Sequence, residues 1–221
     1  MRKKAIAMVS LSLLVFFPSN VIGQEFVNSI DTTLPWEVKP DRPIQVIINA
    51  VTPISAEKIN AVKNAIMSEN SFTKGDKTFY EGWKGALDEV SKHSTRLSIP
   101  TTFNIIESNE PGNKIIITLT EAKDKYGDSG FTRTVVDHHR LVGANITIYD
   151  VDNLTVEEIT TITRHEFGHA LGLGHSTYPE DLMYEEIITS HPFISDCHIH
   201  AISELYNEKT LSHILCEKYQ V

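Results

Sequence analysis

The sequence predicts an α+β fold, and three observations support this class. Runs rich in β-branched residues, typical of strands, are interspersed with amphipathic runs at helical spacing. A capping box opens a long helix after residue 154. Another amphipathic run near the carboxyl end predicts a closing helix. The 221 residues contain no internal repeat and no sign of a second domain, so we expect a single domain.

The first half of the chain contains one predicted strand and two predicted helices. Residues 44–48 form a β-rich run and are the first predicted strand. Ser55 is a suitable amino-terminal cap for a helix over residues 56–69, whose apolar positions repeat at helical spacing. A looser stretch around Gly75 follows, and residues 79–92 then predict more helix.

The second half is rich in strands before it returns to helix. Residues 121–130 are polar and predict a surface loop. Thr155 and Glu158 form a capping box, so a helix begins there and should end near Gly172. Residues 195–208 predict the closing helix. Four further strands are predicted, at residues 102–107, 114–119, 131–136 and 144–149.

The most informative pattern is HExxHxxGxxH, which begins at His165. His165 and His169 lie one turn apart on the same helical face, so both imidazoles can reach one metal ion. Glu166 projects differently and is available to a water on that metal. Gly172 can adopt a positive φ and end the helix sharply, which lets His175 fold back as a third ligand. Three protein ligands leave one position open, which is typical of a catalytic zinc site.

Other interpretations of this motif have to be weighed. The shorter pattern HExxH occurs by chance in many helices, but the added Gly172 and His175 make coincidence a poor explanation. One alternative function is an exported, zinc-stabilised binding domain without peptidase activity. Another is a zinc hydrolase that acts on something other than protein. Glu166 argues against the first, because a purely structural site has no use for a base beside an open coordination position.

The motif, followed by a methionine turn, resembles the signature of the metzincin metallopeptidases. Asp181-Leu182-Met183-Tyr184 is similar to that turn, and the string HEFGHALGLGHS is most similar to the matrixin branch. The resemblance implies a zincin-like (metzincin) catalytic domain, with a twisted mixed sheet, an active-site helix and a small carboxyl-terminal helical subdomain. It also implies that Met183 forms a hydrophobic floor under the metal, whereas Met183 taken alone would be ordinary core packing.

The expected function is that of an exported zinc-dependent endopeptidase acting on peptide or protein substrates. Glu166 would accept a proton from a zinc-activated water and deliver it to the leaving amine. By the same resemblance, an extended substrate lies beside an edge strand, for which residues 131–136 are the candidate. Residues 184–191 would wall the pocket for the side chain after the cut. A structural strand and an ordinary loop are the alternatives for these two segments.

The amino terminus has the features of a signal peptide over residues 1–23. Met-Arg-Lys-Lys precedes a short apolar run, and a cleavage site follows Gly23. Residues 24–41 then predict an extended amino-terminal segment, and residues 42–221 the metallopeptidase catalytic domain. We expect a secreted or extracytoplasmic protein, with an uncleaved membrane anchor as the alternative.

The acidic charge balance narrows the classes of partner. The formal net charge is −9, and cleavage would remove three basic residues and no acidic ones. An acidic surface argues against nucleic acid and anionic membrane as partners. We therefore expect no strong membrane association after cleavage, and we expect a monomer.

The chain has two cysteines, Cys197 and Cys216. In an exported protein an even count suggests a disulfide, which would clamp the carboxyl-terminal helix and tail. Two unpaired thiols are one alternative. A second metal site built from Cys197, His198, His200 and Cys216 is another, although their crowded spacing is unlike a zinc knuckle.

The chain departs from the matrixin pattern in several places. Both cysteines follow the metal motif, so no cysteine switch is expected. Residues 137–139, Asp-His-His, are the nearest candidate for a structural zinc site, and a surface loop is the preferred interpretation. Glu185 and Glu186 follow the methionine turn where the family usually has proline, so the pocket shape cannot be carried over. The candidate calcium ligands are Asp124, Asp128, Asp150 and Asp152.

Overall fold

The computed structural model describes residues 25–38, 42–93, 99–106, 114–187, 192–207 and 212–220. These ranges contain four helices: α1 Ala56–Met67, α2 Trp83–His93, α3 Val156–Ala170 and α4 Asp196–Tyr206. They also contain eleven strands: β1 Glu25–Thr32, β2 Ile44–Ala50, β3 Ser71–Lys74, β4 Lys77–Tyr80, β5 Phe103–Ile106, β6 Lys114–Leu119, β7 Gly130–Asp137, β8 Arg140–Ile148, β9 Leu173–Ser176, β10 Ile194–Ser195 and β11 His213–Gln220.

The largest sheet has five strands in the order β5-β2-β6-β8-β7. The first four run parallel, whereas β7 pairs antiparallel with β8 at one edge. Ile115, Ile117 and Ile146 on the central strands are fully buried. Helices α1 and α3 pack against each other, and α3 also contacts β7 and β8. The predicted mixed sheet is therefore confirmed, and its edge strand lies beside α3.

Helix α3 begins where the capping box predicts. Thr155 Oγ1 accepts the backbone N–H of Glu158 at 3.1 Å, and the Glu158 carboxylate accepts the Thr155 N–H at 2.7 Å. The helix ends at Ala170, and Gly172 follows with a φ of +99°. A β-carbon at this position would collide with the carbonyl oxygen of Leu34, so the turn requires glycine. The predicted end of the helix is therefore confirmed.

Residues 79 and 80 belong to a strand, so the predicted helix over residues 79–92 begins too early. Strands β3 and β4 form an antiparallel hairpin, and α2 begins only at Trp83. The rings of Phe72 and Phe79 stack across the hairpin with centroids 5.5 Å apart. This cross-strand aromatic pair stabilises strand pairing, which outweighs the helical spacing of the apolar residues.

A second sheet joins segments that are far apart in the chain. Strand β1 lies between β11 and β9 and pairs antiparallel with both. The sequence predicts an extended segment over residues 24–41 but gives no indication of its partners, nor of β11. Because β9 carries His175, this sheet fixes the backbone on which the third histidine of the motif lies.

The carboxyl-terminal elements are covalently joined. Cys197 in α4 and Cys216 in β11 form a disulfide, with their Cα atoms 5.1 Å apart. Within the described ranges, no helix combines the length and apolar character needed to cross a bilayer. The predicted signal peptide over residues 1–23 lies outside the described residues.

Candidate metal centre

Three histidines meet at the carboxyl end of α3. His165 and His169 project from the helix, and His175 lies on β9 beyond the Gly172 turn. One ring nitrogen from each lies within 4.8 Å of the other two. The Nε2 atoms of His165 and His169 are 3.0 Å apart. Two ligands of a tetrahedral zinc ion are separated by about 3.3 Å, so this spacing suits zinc.

Backbone carbonyls determine which nitrogen of each helical histidine faces the cluster. His165 Nδ1 donates to the Leu182 carbonyl at 2.7 Å, and His169 Nδ1 donates to the Leu173 carbonyl at 2.9 Å. A carbonyl can only accept, so Nδ1 carries the proton and Nε2 keeps its lone pair. Two lone pairs that face each other repel, and a cation between them removes that repulsion. The donor set therefore fits a zinc ion.

Burial keeps the two helical histidines in the form that binds metals. It lowers the pKa of His165 below its usual value. Burial, together with repulsion from His165 when that ring is protonated, lowers the pKa of His169 to about 3. Neutral imidazole is the ligand form, so neither ring has to lose a proton from the metal-binding nitrogen near neutral pH.

Glu166 lies next to the first histidine and contacts the edge strand β7. Its Oε2 accepts a hydrogen bond from Thr132 Oγ1 at 2.6 Å, and the residue is 6% exposed. Burial and the charge of Asp128, opposed by the Thr132 hydrogen bond, raise the pKa of Glu166 to about 7. A carboxyl group with this pKa can both accept and release a proton. Sequence reasoning did not identify Thr132, because its contact depends on how β7 packs on α3.

Met183 packs under the turn of α3 that separates the two helical histidines. It is fully buried, and a β-carbon added at Gly168 would lie 2.5 Å from its sulfur. Glycine at 168 therefore leaves the space that the methionine fills. The Met183 carbonyl accepts the N–H of Ser176 at 2.7 Å, which joins the turn to the residue after His175. This packing is compatible with a hydrophobic floor beneath the cluster.

A buried carboxylate that the sequence did not single out holds the methionine turn. Asp181 Oδ1 accepts the Met183 N–H at 2.8 Å and the His198 Nε2–H at 2.9 Å. His198 Nδ1 accepts the Ser195 N–H at 2.9 Å. Burial acts to raise the pKa of Asp181, but the attraction of His198 and hydrogen bonds from His198, Met183 and Asn28 hold that pKa below its usual value. The turn is thereby tied to α4.

The second metal site considered for Cys197, His198, His200 and Cys216 is not formed. The two cysteines are bonded to each other, so neither sulfur is a thiolate. His198 is fully buried and uses both ring nitrogens in hydrogen bonds to Asp181 and Ser195. His200 lies at the surface. Because both sulfurs are in the disulfide, they cannot bind a metal as thiolates.

Residues 137–139 form an exposed turn, so the surface-loop interpretation is correct. His138 and His139 have φ values of 43° and 62° between β7 and β8. His138 Nδ1 lies 2.8 Å from the Asp137 carboxylate. Among the described residues, these side chains do not join two further ligands to make a metal cluster.

The acidic loop residues have protein partners of their own. Asp124 accepts the N–H of Tyr126 at 2.6 Å. Asp150 accepts a hydrogen bond from Asn153 at 2.7 Å and pairs with Lys123 at 3.3 Å. Within the described ranges no three of the four aspartates proposed for calcium come together. Calcium binding therefore stays a prediction without an assembled site.

The family comparison agrees with the histidine cluster. A sequence model of the Matrixin family (peptidase M10) matches residues 89–207, more than half of the chain. The matched region contains the whole motif that begins at His165 and also Met183. With three histidines gathered on and beyond α3, the chain belongs to the matrixin family of zinc metalloendopeptidases.

Proposed function

We propose that the protein is an exported endopeptidase in which His165, His169 and His175 hold the zinc ion and Glu166 is the general base. The observation that supports this most directly is that three imidazoles converge within 4.8 Å next to a buried carboxyl group. When bound, zinc supplies Lewis acidity, which lowers the pKa of a water molecule and polarises the peptide carbonyl. No serine or cysteine nucleophile is needed.

Glu166 moves the protons in this mechanism. It accepts a proton from the attacking water as the water oxygen bonds to the carbonyl carbon. It then gives that proton to the amine nitrogen as the C–N bond breaks. Thr132 acts as a positioning residue, because its hydroxyl holds Glu166 Oε2 at 2.6 Å and so orients the carboxyl group before substrate arrives.

Strand β7 is the proposed binding edge for an extended peptide. Its Phe131, Val135 and Val136 are about half exposed, at 48%, 45% and 50%. On the side away from β8 no further strand pairs with it among the described residues. A peptide pairing there would run close to Glu166, which Thr132 of the same strand contacts. We assign residues 131–136 to this role, and residues 184–187, the described part of 184–191, to the neighbouring wall.

Export is proposed from the signal-like residues 1–23 and is supported by the disulfide. Disulfides persist in oxidising compartments. Cleavage after Gly23 would leave the segment 24–41 and the catalytic domain 42–221 as a mature monomer whose new amino terminus adjoins β1. Amino-terminal sequencing of the exported protein should start at Gln24. A retained residue 1 would indicate the membrane-anchored alternative.

Substitution of the base should separate zinc binding from hydrolysis. Glu166→Gln keeps the shape of the side chain but removes the proton acceptor, so kcat should fall by roughly 10²–10⁴-fold while zinc content is unchanged. His169→Ala should instead lose zinc, because one of three ligands is missing. Glu157→Gln, at an exposed position in the first turn of the same helix, is the matched control and should change neither. Peptide hydrolysis and zinc content by atomic absorption are the measurements.

Two results would contradict this assignment. Parental rates for Glu166→Gln would exclude Glu166 as the base. A zinc-loaded parent that cleaves no member of a broad peptide library would favour the zinc-stabilised binding domain instead.

A further inference from the structure

A cavity of about 540 Å³ opens beside the metal centre and is lined in part by His165 and Glu166. Its walls come from α3, from the residues just before β7 and from the residues just after the methionine turn. Its volume is in the range that holds a ligand group. A peptide substrate positioned for hydrolysis beside Glu166 therefore has a neighbouring cavity that can accept one of its side chains.

One face of α3 forms the floor of this cavity. Glu158, Thr161, Ile162 and His165 all line it, and they follow one another at helical spacing. With a rise of 1.5 Å per residue, Thr161 lies about 6 Å along the helix axis from His165. Glu158 lies about 10 Å from it. The cavity thus extends away from the metal centre over a distance that suits a long side chain.

The charged side chains that line the cavity are acidic. Besides Glu166, four carboxyl side chains line it, and no described lining residue is a lysine or an arginine. Glu185 and Glu186 are exposed at one wall and Asp128 at another. Leu154 and Ile162 also line the cavity and supply apolar surface. This combination suits a ligand with an aliphatic stem and a cationic head.

Thr161 provides an observation independent of the acidic side chains. It is 3% exposed, and its Oγ1 has no hydrogen-bond partner. A buried hydroxyl without a partner is costly in a folded protein, and such groups are usually satisfied by a ligand or water. Thr161 lines the cavity about 6 Å along the helix axis from His165. It can accept a hydrogen bond from an ammonium or guanidinium group.

We propose that this cavity binds a lysine or arginine side chain of the substrate at a position adjacent to the scissile bond. The aliphatic stem would lie along Ile162 and Leu154. The cationic head would reach Thr161 and the carboxylates of Glu185 and Glu186. This inference rests on the proposed peptidase function and adds a substrate class to it.

The first test compares peptides that differ at one position near the cut. Each position flanking the scissile bond carries either lysine or norleucine, which has a similar aliphatic stem without the amine. At one of these positions, lysine should raise kcat/KM by roughly tenfold or more over norleucine. The preference should weaken as salt rises, because part of it is electrostatic. Equal or better cleavage of norleucine peptides at every position would overturn the proposal.

Variants of the residues that line the cavity test which of them cause the preference for lysine over norleucine. The double variant Glu185→Gln/Glu186→Gln should reduce the lysine-to-norleucine ratio several-fold, and Thr161→Val should reduce it further in combination. The double variant Asp76→Asn/Glu121→Gln removes two negative charges at exposed positions that do not line the cavity, so it should keep the parental ratio. An unchanged ratio in the Glu185/Glu186 variant would also overturn the proposal.

A binding measurement separates failure of this inference from failure of the peptidase proposal. Zinc-loaded Glu166→Gln protein should bind a fluorescent lysine peptide roughly tenfold tighter than its norleucine counterpart, as measured by anisotropy. Equal affinities would reject the cation site even if the parent hydrolyses peptides. A clear preference without hydrolysis by the parent would reject the peptidase assignment and retain the site.

Discussion

Single backbone groups, rather than side chains, orient the two helical histidines. His165 and His169 donate to the carbonyl oxygens of Leu182 and Leu173. Because these acceptors belong to the main chain, substitution of either leucine leaves the hydrogen bond in place as long as the backbone path is kept. The residues on which the site depends are therefore those that fix the path of the turns, and Gly172 is the most exacting of them.

Gly172→Ala should weaken both folding and zinc binding. Its φ of +99° disfavours any residue with a β-carbon, and the added carbon would press against Leu34 and Leu205. We expect a loss of about 1–3 kcal/mol in the free energy of unfolding. We also expect a higher Kd for zinc, because His175 follows this turn. Urea denaturation and competitive zinc titration are the measurements.

Gly75→Ala is the matched control for this substitution. Gly75 also has a positive φ, +67°, but a β-carbon added there would meet no atom within 4 Å, and the residue lies in the turn between β3 and β4, which carry none of the three histidines. Gly75→Ala should therefore lower the free energy of unfolding by the cost of backbone strain alone and leave the Kd for zinc at the parental value. Equal zinc affinities for Gly172→Ala and Gly75→Ala would show that the Gly172 turn does not position His175.

The functional residues could be predicted from the sequence where their role depends on their spacing along the chain. They could not be predicted where the role depends on contacts between distant segments. The motif beginning at His165 fixes relative positions within a helix and one turn, so the convergence of its histidines follows from local geometry. The positions of Thr132 against Glu166, of Asp181 against His198 and of Thr161 at the cavity arise only when the distant segments of the chain pack together. No periodicity in the sequence records contacts of that kind.

Helices and strands also divide into those that local sequence signals predict and those that depend on distant segments. Helix α3 was predictable because its cap, its apolar spacing and its terminating glycine are all local signals. The pairing of β1 with β9 and β11 was not, because it joins residues about 140 to 195 positions apart and strand partners leave no local mark. The β3–β4 hairpin is not predicted for a different reason: residues 79 and 80 of β4 fit the spacing of the helix that follows, and β3 lies before Gly75 in a stretch without a strand signal.

The link between the methionine turn and α4 should make stability depend on acid pH. The pKa of Asp181 is lower in the folded protein than its ordinary value of 3.8. Its stabilising contribution is therefore fully present above the unfolded pKa and is lost as pH falls through the folded pKa. Asp181→Asn should lower the free energy of unfolding by about 1–3 kcal/mol near neutral pH. The difference from the parent should shrink below about pH 4.

The difference in unfolding free energy between the parent and Asp181→Asn reports on Asp181 alone, because zinc release by histidine protonation affects both proteins alike. Denaturant titrations at several pH values supply the free energies. Glu180→Gln, at the exposed position next to Asp181, is the control and should follow the parent throughout. A parent-to-Asp181→Asn difference that stays constant with pH would show that ionised Asp181 does not stabilise the turn.

At the scale of the whole molecule, the segment that follows the metal motif is held at several points. The methionine turn is bonded to β9 through Ser176 and to α4 through Asp181 and His198. Helix α4 is bonded to β11 by the disulfide, and β11 pairs with β1. His175 on β9 and the buried Met183 therefore belong to one connected unit, whose stability should respond to loss of the covalent link.

The double variant Cys197→Ala/Cys216→Ala should unfold more easily than the parent. The cysteines are 19 positions apart, and closing a loop of that length in the unfolded chain is worth about 3 kcal/mol in the chain-entropy description. The urea midpoint should fall accordingly. A phosphine reductant should lower the midpoint of the parent towards that of the variant and leave the variant unchanged. If parent and variant shared one midpoint under oxidising conditions, the disulfide would contribute nothing to the stability of this unit.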